Sequence, residues 1–126
     1  MTAAPYNLLV VDDEYASLEV LALMLTGEGF RVHTASNGEE ALEQLAAQPI
    51  DLVITDYKMP KKDGSELCLA MLADPRLAGI PVIFTSATYR QDVPRPRNVA
   101  AFFYKPLLFA LLLRKVREIL QPRSPG

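Results

Sequence analysis

The chain has 126 residues, half of them hydrophobic and 22% charged, which fits one ordinary domain with a single buried core and excludes a disordered chain. Its 13 basic and 15 acidic residues leave a net charge of −2, so no basic excess points to nucleic acid or an anionic membrane as a partner. No apolar run approaches the roughly 20 residues that span a bilayer, and Met1 to Asn7 lacks the basic-then-apolar pattern of a signal peptide.

Apolar runs and helical patterns alternate along the chain. Leu8–Val11 reads as a buried strand. Tyr15–Glu28 carries Leu18, Leu21, Ala22 and Leu25 on one helical face, and Gly27 and Gly29 end that helix, since glycine takes the left-handed cap conformation readily. Phe30–Ala35 reads as a second strand, with the lone histidine, His33, as an ordinary strand residue. Ser36 or Asn37 then N-caps a helix from Glu39 to Ala47, striped by Ala41, Leu42 and Leu45 and ended by Pro49. Ile50–Thr55 is a third strand. Gly64–Ala73 is helical, with Leu67, Ala70 and Met71 facing inward. Pro81–Thr85 and Ala101–Tyr104 are the fourth and fifth strands, and Leu107–Leu120 is the closing helix. Pro122 and Pro125 punctuate a short polar tail, so a single domain is expected over residues 1–121, with 122–126 as the tail. The single cysteine, Cys68, sits in the apolar run Leu67-Cys68-Leu69 and reads as a buried structural residue. One thiol forms no internal disulfide, and a reducing, cytoplasmic location is expected.

This alternation predicts an α/β fold, a doubly wound parallel sheet of five strands with helices on both faces, because parallel strands need crossover connections. In such sheets ligands bind beyond the carboxyl ends of the strands. The residues at those ends are Asp12 and Asp13, Asp56, Ser86 and Lys105. Three carboxylates at one sheet end repel one another, and a hard divalent cation offsets that directly. Mg²⁺ prefers oxygen ligands and keeps several waters. Lys105 and the metal would together neutralise an incoming phosphoryl group, and the Ser86 hydroxyl would hydrogen-bond one of its oxygens. Neither Gly-x-x-x-x-Gly-Lys nor Gly-x-Gly-x-x-Gly is present, so a phosphoryl group would come from a protein or a small phosphodonor.

Four motifs in order carry a resemblance. They are Val10-Val11-Asp12-Asp13, Ile54-Thr55-Asp56-Tyr57-Lys58-Met59-Pro60 with Asp63-Gly64, Phe84-Thr85-Ser86-Ala87, and Phe102-Phe103-Tyr104-Lys105-Pro106. Together they make the chain resemble the receiver domain of two-component response regulators over almost its whole length. The resemblance implies a flavodoxin-like sheet in the order 2-1-3-4-5. It implies Asp56 as the nucleophile that forms an aspartyl phosphate, and Asp12, Asp13, Asp56 and the Lys58 carbonyl as the Mg²⁺ site, with Asp12 acting through water. Lys105 would pair with a phosphoryl oxygen, while Ser86 and Phe102 would form the switch that senses the phosphate. The implied phosphodonor is a sensor histidine kinase or a histidine phosphotransfer protein. The implied role is regulatory and not that of an enzyme on external substrates, with output through contact with a downstream protein.

Two features depart from that pattern. Pro94 and Pro96 fall where the family has its fourth helix, and an interior proline costs a helix about 3 kcal/mol, so that helix is expected to be shortened or missing. The closing helix reads as apolar almost all round from Leu107 to Leu113, which makes it either a gap-filler or a partner or homodimer surface. Two rival functions remain: a receiver-like module that binds proteins without phosphorylation, and a hydrolase using Asp56 on external substrates. The complete acidic set with Ser86 and Lys105 argues against the first. Against the second, Lys58 stands two positions after Asp56, where a second acid would be needed.

Overall fold

Strands form where the sequence runs apolar and β-branched, and helices where a stripe of Leu and Ala recurs. The computed structural model describes residues 5–59, 62–87 and 95–120. In chain order these form β1 (Asn7–Val11), α1 (Tyr15–Gly27), β2 (Arg31–Ala35), α2 (Gly38–Ala47), β3 (Leu52–Asp56), α3 (Gly64–Leu72), β4 (Val82–Ser86), β5 (Val99–Tyr104) and α4 (Phe109–Leu120). All five strands are parallel, in the order β2-β1-β3-β4-β5. No helix among the described residues is long and apolar enough to cross a membrane.

The two-residue period of a strand divides the core between the sheet's faces. In β1, Leu9 and Val11 pack with Val53, Phe84, Leu67 and Met71, whereas Leu8 and Val10 pack with Leu18, Leu25, Ile54 and Leu112. Being covered on both sides is why the central strands carry no polar alternation. Cys68 is buried in the first cluster, and burial pushes its thiol up to about 12.

Local signals set the helix starts. The Asn37 side chain accepts the Glu40 amide at 2.9 Å, and the Glu40 carboxylate accepts the Ser36 amide at 2.9 Å. Asp63 and Glu66 form a reciprocal capping box on α3. Gly29, at φ 98°, supplies the left-handed residue beyond α1. Asn37→Ala should therefore cost about 1 kcal/mol, seen as a lower urea midpoint with an unchanged slope.

Several boundaries differ from expectation. Asp51 does not extend β3: its amide and its carboxylate bond the Asn7 carbonyl and amide, each at 2.8 Å, closing the sheet's lower edge. At their far ends β3 and β4 run one residue longer than expected, so that Asp56 and Ser86 are the last residues of their strands. β5 starts at Val99, two residues early, after Val82 donates to the Asn98 carbonyl. α4 starts at Phe109, because Leu107 and Leu108 form the connection and the Leu108 carbonyl takes the first helical amides. The closing segment is apolar all round from Leu107 to Leu113, and a polar face appears only beyond it. Arg114, Arg117 and Glu118 face solvent while Leu112 and Val116 are buried, and the exposed apolar surface is confined to its start, at Leu108 (66% exposed) and Leu111 (48%). Four helices are present among the described residues, none of them between β4 and β5, which fits the shortened fourth helix. Pro94 and the rest of 88–94 lie outside the described residues, as does the tail 122–126.

Candidate functional site

β1 and β3 are neighbours, with Val11 opposite Thr55, so Asp12 and Asp56 emerge side by side. At each strand end one further backbone bond carries the ladder into the loop: Asp12 to the Ala35 carbonyl (3.1 Å), Tyr57 to Thr85 (2.8 Å) and Lys105 to Ser86 (2.8 Å). The Lys105 ammonium reaches back across β4 to two carboxylates, at 3.1 Å from Asp12 and 3.3 Å from Asp56. Asp12 is fixed from its other side, since its second oxygen accepts the Glu14 amide at 2.9 Å. Carboxylate oxygens of Asp12, Asp13 and Asp56 all lie within 4.8 Å of one another. Asp12 is buried, Asp56 half-buried and Asp13 exposed. The topology thus brings together the four charged residues that the sequence singled out.

Burial pushes the Asp56 carboxyl above the usual carboxylate range; Asp12 and Asp13 add to this, and the Lys105 charge only partly opposes it. For Lys105, burial pulls the ammonium down, but the hydrogen bond to Asp12 and the charges of Asp56 and Asp12 outweigh it and the net direction is up. These side chains are only 10–24% exposed, so solvent screens them less than a surface pair. Three carboxylates facing one ammonium leave an excess of negative charge in an all-oxygen donor set. That is the chemistry of a hard divalent cation such as Mg²⁺.

The loop after Asp56 is held by contacts that the sequence did not announce. The Thr55 hydroxyl donates to the Asp56 carbonyl at 3.0 Å and lies 3.8 Å from the sulfur of buried Met59. Gly64 donates to the Tyr57 carbonyl at 2.8 Å, and a β-carbon there would sit 2.9 Å from the Asp56 carbonyl oxygen. Lys58, between these ties, is exposed. Ser86 is buried at the end of β4. Phe102 sits opposite Phe84 in β4, with ring centroids 6.1 Å apart, and 4.9 Å from Tyr104. Tyr57, next to Asp56, is 5.8 Å from Phe84. Aromatic rings therefore connect the residue beside Asp56 to Phe102, over which the Arg95 guanidinium lies at 4.7 Å.

The family model for the response regulator receiver domain matches residues 8–116. The chain belongs to that family. Among relatives, this receiver domain is 33% identical to the transcriptional regulatory protein GlrR of Escherichia coli, over 100% of this chain but 29% of GlrR. It is 34% identical to the response regulator MprA of Mycolicibacterium vanbaalenii, over 96% of this chain and 53% of MprA. The chain thus spans from under a third to about half the length of these relatives. Among solved structures, the response regulator TrrA of Thermotoga maritima, in complex with Mg²⁺-BeF, superposes with a TM-score of 0.80 at 33% identity, covering 91% of this receiver and 99% of that chain.

Proposed function

We propose that this receiver domain accepts a phosphoryl group on Asp56 with the help of a bound Mg²⁺ ion. The observation that carries the reading is the Asp56 carboxylate at the sheet's carboxyl edge, 3.3 Å from the Lys105 ammonium and beside Asp12 and Asp13. An Asp56 oxygen attacks phosphorus, the bond from phosphorus to the donor's nitrogen or oxygen breaks, and the donor leaves with that electron pair. Asp13, Asp56 and the Lys58 carbonyl would hold the ion, with Asp12 acting through water. When bound, Mg²⁺ offsets the charge of phosphoryl and carboxylate oxygens. Lys105 then exchanges its Asp56 contact for a phosphoryl oxygen while Asp12 keeps the ammonium in place. Ser86 and Phe102 form the switch: the hydroxyl bonds the phosphate and the ring repacks along the Tyr57–Phe84–Phe102 series.

The phosphodonor is a histidine kinase or a phosphotransfer protein. A groove of about 420 Å³ between α1 and the segment after Lys105 supports such an approach, since its walls include Val20, Leu21, Met24 and Phe109 and it reaches Asp12 and Lys105. Leu23 stands 74% exposed on α1, and Leu108 before α4 and Leu111 on it are exposed apolar side chains available to a partner or a second copy. Incubation with a small acyl phosphate and Mg²⁺, followed by intact mass, should show one added phosphoryl group per chain. A chain that stays unmodified while a known receiver labels in parallel would leave only the non-phosphorylated binding module.

A further inference from the structure

We propose that Gly38 is a positioning residue for the metal-binding loop: the side-chain-free start of α2 sets the place of the segment after Asp56, and with it the Lys58 carbonyl. The inference rests on reading the acidic cluster as an Mg²⁺ site.

The segment leaves β3 at Asp56 and enters α3 at Gly64. Its near end is tied by Thr55 to the Asp56 carbonyl and to Met59, and its far end folds back through Gly64 to Tyr57. These ties are made by the segment and the residues that flank it. A further tie comes from a different element: the Gly38 amide donates to the Lys62 carbonyl at 3.2 Å. As the first residue of α2, Gly38 has an amide with no partner inside its own helix, and Lys62 supplies one.

Space, not backbone conformation, requires glycine here. A β-carbon on residue 38 would sit 2.5 Å from the Lys62 carbonyl oxygen, 2.7 Å from the Lys62 β-carbon and 3.0 Å from its γ-carbon. The nearest of these atoms is backbone, so the loop itself has to shift. α2 has little freedom to yield instead, because Asn37 and Glu40 cap its start reciprocally with Ser36 and Ala41 and Leu45 are buried in the core. A side chain at 38 therefore displaces Lys62, two residues before Gly64, whose amide bonds the Tyr57 carbonyl beside Lys58.

The ion itself separates positioning from mere packing. Mg²⁺ demands near-ideal octahedral geometry at about 2.0–2.1 Å, whereas Ca²⁺ accepts flexible geometry at about 2.3–2.6 Å. A displaced carbonyl ligand penalises the first far more than the second. A residue that serves only to pack α2 would lower the melting temperature and leave the ratio of the two affinities unchanged.

The test is calorimetric titration of the wild-type chain and Gly38→Ala with Mg²⁺ alone and with Ca²⁺ alone. Supporting parts of metal sites typically contribute about 10–100-fold in affinity. Mg²⁺ binding should therefore weaken roughly tenfold or more in the variant, and Ca²⁺ binding by less than about threefold. Equal weakening of both ions, or unchanged Mg²⁺ binding, overturns the positioning role while leaving the metal site standing. A wild-type chain that binds no Mg²⁺ overturns the metal-site reading and this inference with it. Should Gly38→Ala fail to fold, the double variant with Lys62→Gly, which removes the β- and γ-carbons of Lys62, takes its place under the same criteria.

Discussion

Asp56→Asn should reduce labelling by an acyl phosphate from one phosphoryl per chain to none, with the fold intact. Asn has nearly the same shape, so the end of β3 and its bonds through the Asp56 carbonyl and the Tyr57 amide persist. What is lost is the ionised oxygen that attacks phosphorus. The substitution also takes one carboxylate out of a crowded cluster, while Lys105 keeps its 3.1 Å partner Asp12, so the metal-free variant should melt no lower than wild type. Asp12 and Asp13 are the control built into the site. They stand in the same oxygen cluster, but Asp12 is engaged by both Lys105 and the Glu14 amide. Intact mass and a thermal melt on the same sample decide the matter. Stoichiometric labelling retained in Asp56→Asn would move the phosphoacceptor to another residue.

The buried centre of this fold was legible in the sequence because parallel central strands are covered on both faces and must be continuously apolar. Leu8–Val11 and Val82–Phe84 are plain on that ground. Sheet margins were not, since there polar residues join strands and apolar ones leave them. Asp51 reads as the start of a strand but bonds Asn7 in a loop, and Val99-Ala100 read as loop but continue β5. At the site, residue types and their order along the chain pointed to Asp12, Asp13, Asp56 and Lys105, and strand order brought them together. Their pairing was less accessible. Asp12 was expected to act on a metal through water, yet it is also the nearer partner of Lys105, 93 residues away, a contact that exists only once β5 has been laid beyond β4. Gly38 shows the same limit. After Ser36-Asn37 it reads as the last residue of a turn, and nothing local reveals that Lys62 lies against it. Phe102 was implied by the resemblance; Tyr104, two residues on in the same strand, shares its face by the strand period, whereas Phe84 comes opposite it only through the β4–β5 register.

Mg²⁺ should raise the melting temperature of the wild-type chain by several degrees, and Asp13→Ala should remove most of that rise. A ligand bound by the native state alone stabilises by RT ln(1 + [L]/Kd), about 1.4 kcal/mol at ten times Kd. For a domain of this size 1 kcal/mol corresponds to roughly 4 °C. The unfolded chain has the same aspartates but not their convergence, so it gives the ion no comparable site. Asp13 is the informative position because it is exposed and has no tie to Lys105 among the ion pairs of the site. Removing it leaves the Asp12–Lys105–Asp56 arrangement standing, and in the absence of metal it relieves repulsion, so the apo variant should melt at or slightly above the wild-type temperature. Removal of Asp12 would be ambiguous by comparison, since Asp12 also holds the Glu14 amide at the start of α1. The expected pattern is thus a crossing: without metal the variant is at least as stable as wild type, and at millimolar Mg²⁺ it is less stable. No Mg²⁺-dependent rise in the wild type, or an equal rise in Asp13→Ala, would remove Asp13 from the metal site.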